Sequence, residues 1–323
     1  MQINSALQAL RGDSPAQRHA QEAVETVARD WRGSVLVKAI EEELARFAEG
    51  RAWDDCTTLS RLIADHALAS EVLELLFDPL GKALEKHPFA HAPFRHQYSN
   101  GTALLQLAQA GSAVMVLLAY DESVAVAEPE SVSFSDVERH EIVLAGAADL
   151  RIAELLREEQ DRAAIDCEPR RVVAGDSMHF GAKDTRIAER IHGRMLVLRV
   201  ARSPARPEPS RAFRLSDGAL IHRASGDRVE SQREMAMAVL GRMGRTDAAP
   251  LIAALTREGS DHFRWQALRE CLALDTATGF AALHRMAADA QDTLADQAGA
   301  LRAQLLEAYP QLASIEERQK CPA

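Results

Sequence analysis

The spacing of the apolar residues changes twice along this 323-residue chain, and that double change excludes any fold built from one kind of element. In "SVLVKAIEEELARFAEG", Leu36, Val37, Ile40, Leu44 and Phe47 recur every three or four residues, which puts them on one helix face, with Gly50 as a stop. "DDCTTLSRLIADHALASEVLELLF" continues the pattern through Leu59, Leu62, Ile63 and Ala67. Helices are therefore predicted to about residue 85. His66 sits beside that stripe and reads as a helix-face or core histidine.

After Pro88 the period shortens. "HQYSNGTALLQLAQAGSAVMVLLAYD" has Asn-Gly and Gly-Ser turn signals between short runs rich in Val, Leu and Tyr, the pattern of antiparallel strands. Further runs follow in "ERHEIVLAGAADLRIAELL", "RRVVAGDSMHFGAKDTRIAERIHGRMLVLRVARS" and "RAFRLSDGALIHRASGD", spaced as in a sandwich or small barrel. The proline-rich "RSPARPEPSR" reads as a loop inside this β unit, because strand-like sequence resumes after it. From Ser231 the helical period returns. The spacing thus predicts an α+β chain with a helical segment over 1–86, a β domain over 87–228 and a helical domain over 229–323.

Composition narrows the function classes. Two or three domains suit this length, and aromatic residues at 5% leave the cores to Ala, Leu, Val, Ile and Met. A net charge of −10 argues against a broad nucleic-acid surface, which needs clustered Lys and Arg. Cys56, Cys167, Cys271 and Cys321 are scattered without CxxC spacing, so reduced thiols in a cytoplasmic protein are expected. No basic leader with an apolar core opens the sequence, and no stretch approaches the roughly 20 apolar residues of a membrane span.

Two resemblances rest on particular segments. "VVAGDSMHFGAKDTRIAERIHGRMLVLRV", preceded by "ERHEIVLAGAADLRI", resembles the second conserved segment of the cupins over a likeness running from about residue 93 to 223. This implies an antiparallel double-stranded β-helix, a sandwich or barrel, in the middle of the chain. "AVLGRMGRTDAAPLIAAL" resembles a HEAT repeat, with "REMAMAVLGRMG" from Arg233 and "RWQALRECLALD" from Arg264 aligned at an offset of 31: Arg233 with Arg264, Ala236 with Ala267, Leu240 with Cys271. Leu240 and Leu255 are the core residues this repeat implies.

The cupin metal pattern is two histidines one residue apart, then a Glu and a later His. This chain has no HxH or HxD, and "AKDTRI", with Lys183, Asp184 and Thr185, stands where the later His would fall. His140 and Glu141 are sequential and point to opposite strand faces, so only one can face a barrel interior. His87, His91 and His96 crowd together, but Pro88 and Pro93 break any helix that would align them. Glu158 and Glu159 belong to a charged run that reads as a solvated face.

No GxSxG elbow, P-loop or GxGxxG fingerprint is present. The residues expected to line a ligand site are His96, Tyr98, His140 and His192, with no catalytic residue, no metal ligand and no cofactor assigned and no stoichiometric transition metal expected. The sequence points to a non-catalytic binding or regulatory protein, with a degenerate cupin-like barrel and a helical docking surface. The alternatives are a metal-dependent cupin-type oxygenase or isomerase using atypical ligands such as His96, His140 and His192, and a purely structural assembly factor. The partner classes this architecture admits are a small-molecule ligand, a protein docked on the C-terminal helices and a second copy of the chain.

Overall fold

The computed structural model describes residues 15–124, 128–159 and 161–315, so Cys321 and the N-terminal stretch before Pro15 lie outside the described residues. Helices α1 (Pro15–Gly33), α2 (Val35–Ala48), α3 (Thr57–Ala64) and α4 (His66–Lys86) come first. Serine and aspartate start two of them: Ser34 caps α2, and Asp65 accepts from the amides of Ala67 and Leu68 at the start of α4. The buried carboxylate of Glu43, reaching across from α2, accepts from the amides of Thr58 and Leu59 at 2.7 and 3.0 Å, satisfying the free donors that open α3. Val37, Ile40, Leu44, Phe47, Leu59, Leu62, Val72 and Leu76 are all fully buried, as the apolar period requires.

The strands are β1 (His96–Ser99), β2 (Thr102–Ala110), β3 (Ala113–Asp121), β4 (Ser131–Phe134), β5 (Glu138–Glu158), β6 (Ala163–Val173), β7 (Ser177–Phe180), β8 (Asp184–Arg202), β9 (Ser210–Arg214) and β10 (Leu220–Ala224). Asn100 and Gly101 both take positive φ, 47° and 74°, between paired Ser99 and Thr102: a two-residue turn of the kind Asn-Gly favours. Seven strands form an antiparallel sheet ordered β1-β2-β3-β8-β5-β6, with β7 on β5, and a smaller sheet is ordered β10-β9-β4. The larger sheet has free ends at β1 and β6, so among the described residues it does not close into a barrel. The 21-residue β5 is interrupted by register shifts around Ala145, where Gly146 takes φ 83°.

Alternation along these strands sorts two cores. Met115, Leu117, Ile142, Leu144, Leu198 and Val200 pack with the N-terminal helices. Val116, Leu118, Val143, Phe180, Met195 and Val197 join a second cluster made by the sheet's own strands. The face of β5 carrying Ile142 is thus the helix-facing one, and it also carries Glu138 and His140.

Helices α5 (Arg228–Arg242), α6 (Ala249–Leu255), α7 (Asp261–Leu274), α8 (Thr276–Ala288) and α9 (Ala295–Ala308) follow the strands. The chain divides into two compact units, residues 1–205 with 213–220 and residues 206–212 with 221–323. The second has its own core of Met237, Ile252, Phe263, Leu268, Phe280 and Leu283. A HEAT-like solenoid is not shown there. The expected repeat equates Ala236 with Ala267 and Leu240 with Cys271, but Ala267 and Cys271 are fully buried while Ala236 is exposed and Leu240 half-buried. Leu255 is half-buried against the core, and Met237 is the α5 residue buried in it. No helix of the described residues is long and apolar enough to cross a membrane.

Candidate metal centre on the helix-facing side of the sheet

Glu138 and His140 stand two residues apart at the start of β5 and share a face. The β5–β7 register sets His140 directly opposite His179, and the β5–β8 register sets Glu138 opposite Arg202. One ligand atom from each of Glu138, His140 and His179 lies within 4.8 Å of the other two. His140 Nε2 is 2.9 Å from Glu138 Oε1. Two ligands on one transition ion at about 2.1 Å lie at most about 4.2 Å apart, close to the separation limit these three donor atoms keep.

The helices hold this cluster from behind. Trp53, between α2 and α3, stacks on the His140 ring at 3.5 Å and 5°, and His179 stacks on it at 4.5 Å and 29°, while Phe47 meets it edge-on. Arg202 donates to the carbonyls of Phe47 (2.7 Å) and Arg51 (2.8 Å), lies 4.0 Å over the Phe47 ring and pairs with Glu138 Oε2. One guanidinium thus satisfies carbonyls at the end of α2 and fixes the carboxylate, leaving Oε1 turned toward His140.

Electrostatics suit metal ligation. Burial pushes the His140 imidazole below its ordinary pKa, outweighing the opposing pull of Glu138, so the ring is neutral at pH 7. Burial alone would raise Glu138, but the bonds from His140 and Arg202 hold its carboxyl below the usual range. A neutral imidazole and an ionised carboxylate are the protonation states a transition ion needs. Beside the cluster opens a cavity of about 390 Å³, lined by Glu49, Asp136, Glu138, Gly181 and Arg202 among others.

Of the residues expected to line a ligand site, His140 alone belongs to this cluster. His96 and Tyr98 are exposed on β1: His96 Nδ1 is 3.0 Å from the Phe94 carbonyl, and the Tyr98 hydroxyl donates to Asp121 at 3.4 Å. His192 sits 2.9 Å from Asp149. His87 packs edge-on against His19, and the backbone of His91 exchanges hydrogen bonds with the Gln21 side chain. His66 bonds the Leu144 carbonyl at 2.8 Å. Glu138 and His179 are not among the residues expected to line a ligand site. The local signal was Glu-Arg-His over 138–140, a one-residue-apart pair with a carboxylate in the first place, whereas His179 is joined to it only by strand register.

The opposite face of β5 is also charged. Glu141 is fully buried and accepts from Arg186 Nε at 2.8 Å and Arg199 Nε at 2.6 Å, and Arg186 also donates to the Tyr120 hydroxyl at 3.0 Å. Glu141 and His140 therefore serve different faces, as their adjacency requires.

No protein-family model and no curated protein matches the chain. Solved structures with a local likeness include KdgF from a Halomonas species (16% identity, TM-score 0.26, 34% of this chain and 86% of the other). A cupin superfamily protein from Desulfitobacterium hafniense has 19% identity and a TM-score of 0.23 over 33% of this chain and 83% of its own. An RmlC-like cupin from Shewanella frigidimarina has 11% identity and a TM-score of 0.23 over 35% and 86%. The likeness spans about a third of this chain, and the site is read from the chain's own residues.

Proposed function

We propose that this chain is a metal-dependent binding protein, in which Glu138, His140 and His179 hold a divalent transition ion whose open coordination positions face a small ligand. The observation that carries this reading is the convergence of the three donor groups within 4.8 Å. Two imidazoles and one carboxylate suit Fe, Zn, Ni or Mn better than Ca or Mg, which favour all-oxygen sets. Trp53 and Arg202 support it by fixing the ring and the carboxylate before any ion arrives. The adjoining cavity supplies the ligand's approach. The C-terminal helices add a docking surface in this reading, because Met235, Val239 and Met243, four residues apart, are 62%, 54% and 63% exposed.

The donor set also favours a second reading, a metal-dependent oxygenase or isomerase, since two histidines and a carboxylate with open positions are the ligands of non-haem iron oxygenases. Bound there, the ion would supply Lewis acidity and a site for a small ligand, while Arg202 would orient the carboxylate.

Equilibrium dialysis of chelator-treated, untagged protein against Zn²⁺, Co²⁺ and Fe²⁺ tests both readings. About one ion per chain, weakened at least about 100-fold in His179→Ala and Glu138→Gln, supports the site, since even residues that only orient metal ligands are worth 10–100-fold. Oxygen uptake by the iron form would favour the enzyme. Equal binding by wild type and both variants would remove the proposal.

A further inference from the structure

The charged cluster on the other face of β5 is out of balance. Arg139, Arg186 and Arg199 lie close enough to affect one another, and a single fully buried carboxylate, Glu141, takes the hydrogen bonds of two of them. Arg139 is left with two long bonds of 3.3 Å, from Nη2 to the main-chain oxygen of Asp184 and to the Thr185 hydroxyl. Its Nε is buried and has no hydrogen-bond partner. The Asp184 carboxylate is near enough to favour the charge, but its Oδ1 is engaged by the amide of Gly181. The Arg139 guanidinium also lies 5.2 Å over the Phe180 ring, which offers no hydrogen-bond acceptor of its own.

A buried guanidinium N–H without an acceptor costs about 1–3 kcal/mol, and more when the group is charged. An arginine fork is also built to be met by two oxygens of one anion. Arg199 is diagonal to Arg139 across β5 and β8, since Arg139 pairs with Ala201 and Glu141 with Arg199, and its side chain is 21% exposed. Long side chains reach across such a diagonal.

We propose that Arg139, seconded by Arg199, is the anchor of a small-oxyanion site, taking a carboxylate or phosphate group on the sheet face opposite the candidate metal centre. The oxyanion accepts from Arg139 Nε and from one Nη, replacing an orphaned donor with a charge-assisted pair. The surplus of positive charge supports this.

The test is the thermal midpoint of chelator-treated full-length protein, titrated separately with sodium phosphate and sodium acetate at constant ionic strength made up with sodium chloride. The proposal requires a saturable rise with at least one of them, and the more effective one identifies the anion. In Arg139→Gln the half-saturating concentration should rise at least about tenfold, the loss expected for a charge-assisted hydrogen bond. In Arg190→Gln, an exposed arginine of β8, the strand that carries Arg199, it should be unchanged. A wild-type midpoint that follows neither anion beyond chloride overturns the site, as does an equal response in Arg139→Gln. If Arg139→Gln does not fold, Arg139→Lys takes its place: it keeps the charge without the fork, and an undiminished response there is equally fatal.

Discussion

Replacing Glu141 by Gln removes the one carboxylate that two guanidinium groups share in a fully buried position. Both arginines would then lose their charged partner while staying out of water, and breaking a buried pair in this way costs about 3–5 kcal/mol. With a urea slope of about 2 kcal/mol per M, the unfolding midpoint should fall by roughly 1.5–2.5 M at pH 7. The pH dependence has a definite sign. Burial raises the Glu141 pKa, but Arg186 and Arg199 outweigh it and hold the carboxyl below its ordinary value. Its contribution is therefore complete above the unfolded-state pKa of about 4.3 and is lost as pH falls through the lower folded value. The gap between wild type and Glu141→Gln should be constant from pH 8 to 5 and narrow only in stronger acid. Replacing Glu141 together with the two arginines bonded to it, by Glu141→Leu, Arg186→Met and Arg199→Met, should recover most of the loss, because the desolvation cost goes with the charges. Urea titrations in chloride buffer, followed by tryptophan fluorescence, measure each value. A single-variant cost under about 1 kcal/mol, or a gap unchanged in strong acid, would refute the reasoning.

Gly146→Ala should destabilise by more than about 1 kcal/mol, because the backbone is at φ 83° and an added Cβ would sit 1.9 Å from the Arg194 carbonyl. Thermal unfolding checks it. Leu44→Ala, which empties a fully buried site between helices and sheet, should cost about 2–5 kcal/mol in the same urea assay. The neutral His140 disfavours protonation in the folded state, so its share of stability is present above the unfolded-state pKa of about 6.5 and declines as pH falls below it. His140→Asn should flatten the loss of stability between pH 7 and 5, and an unchanged pH profile would show that His140 is not its source.

The α+β class with antiparallel sheets was legible because apolar spacing is a local signal: Leu44 and Phe47 record helix, and Asn100-Gly101 records a hairpin, without knowledge of the partner strand. The open edges of the large sheet were not legible, since closure depends on strand order and on the bend of β5 at Gly146. The C-terminal repeat misled because an alignment of residue types does not encode burial: Leu240 matches Cys271 in position but not in environment. At the site, His140 was found by its chemistry. Glu138 escapes the cupin pattern, because that pattern sets two histidines, or a histidine before an acid, one residue apart, and here the acid comes first. His179 enters only through the register of β7 on β5, which no local pattern carries. The imbalance at Arg139 likewise depends on Glu141 bonding two arginines of β8, a pairing across strands that no local pattern carries.

The central claim is that Glu138, His140 and His179 hold one transition ion, and anomalous diffraction from crystals grown with Zn²⁺, measured on both sides of the zinc absorption edge, tests it most directly. The account predicts one strong anomalous peak about 2.0–2.2 Å from Glu138 Oε1, His140 Nε2 and a ring nitrogen of His179, absent from crystals of His179→Ala. Full zinc loading with the peak elsewhere, or with no peak among these three side chains, would contradict it.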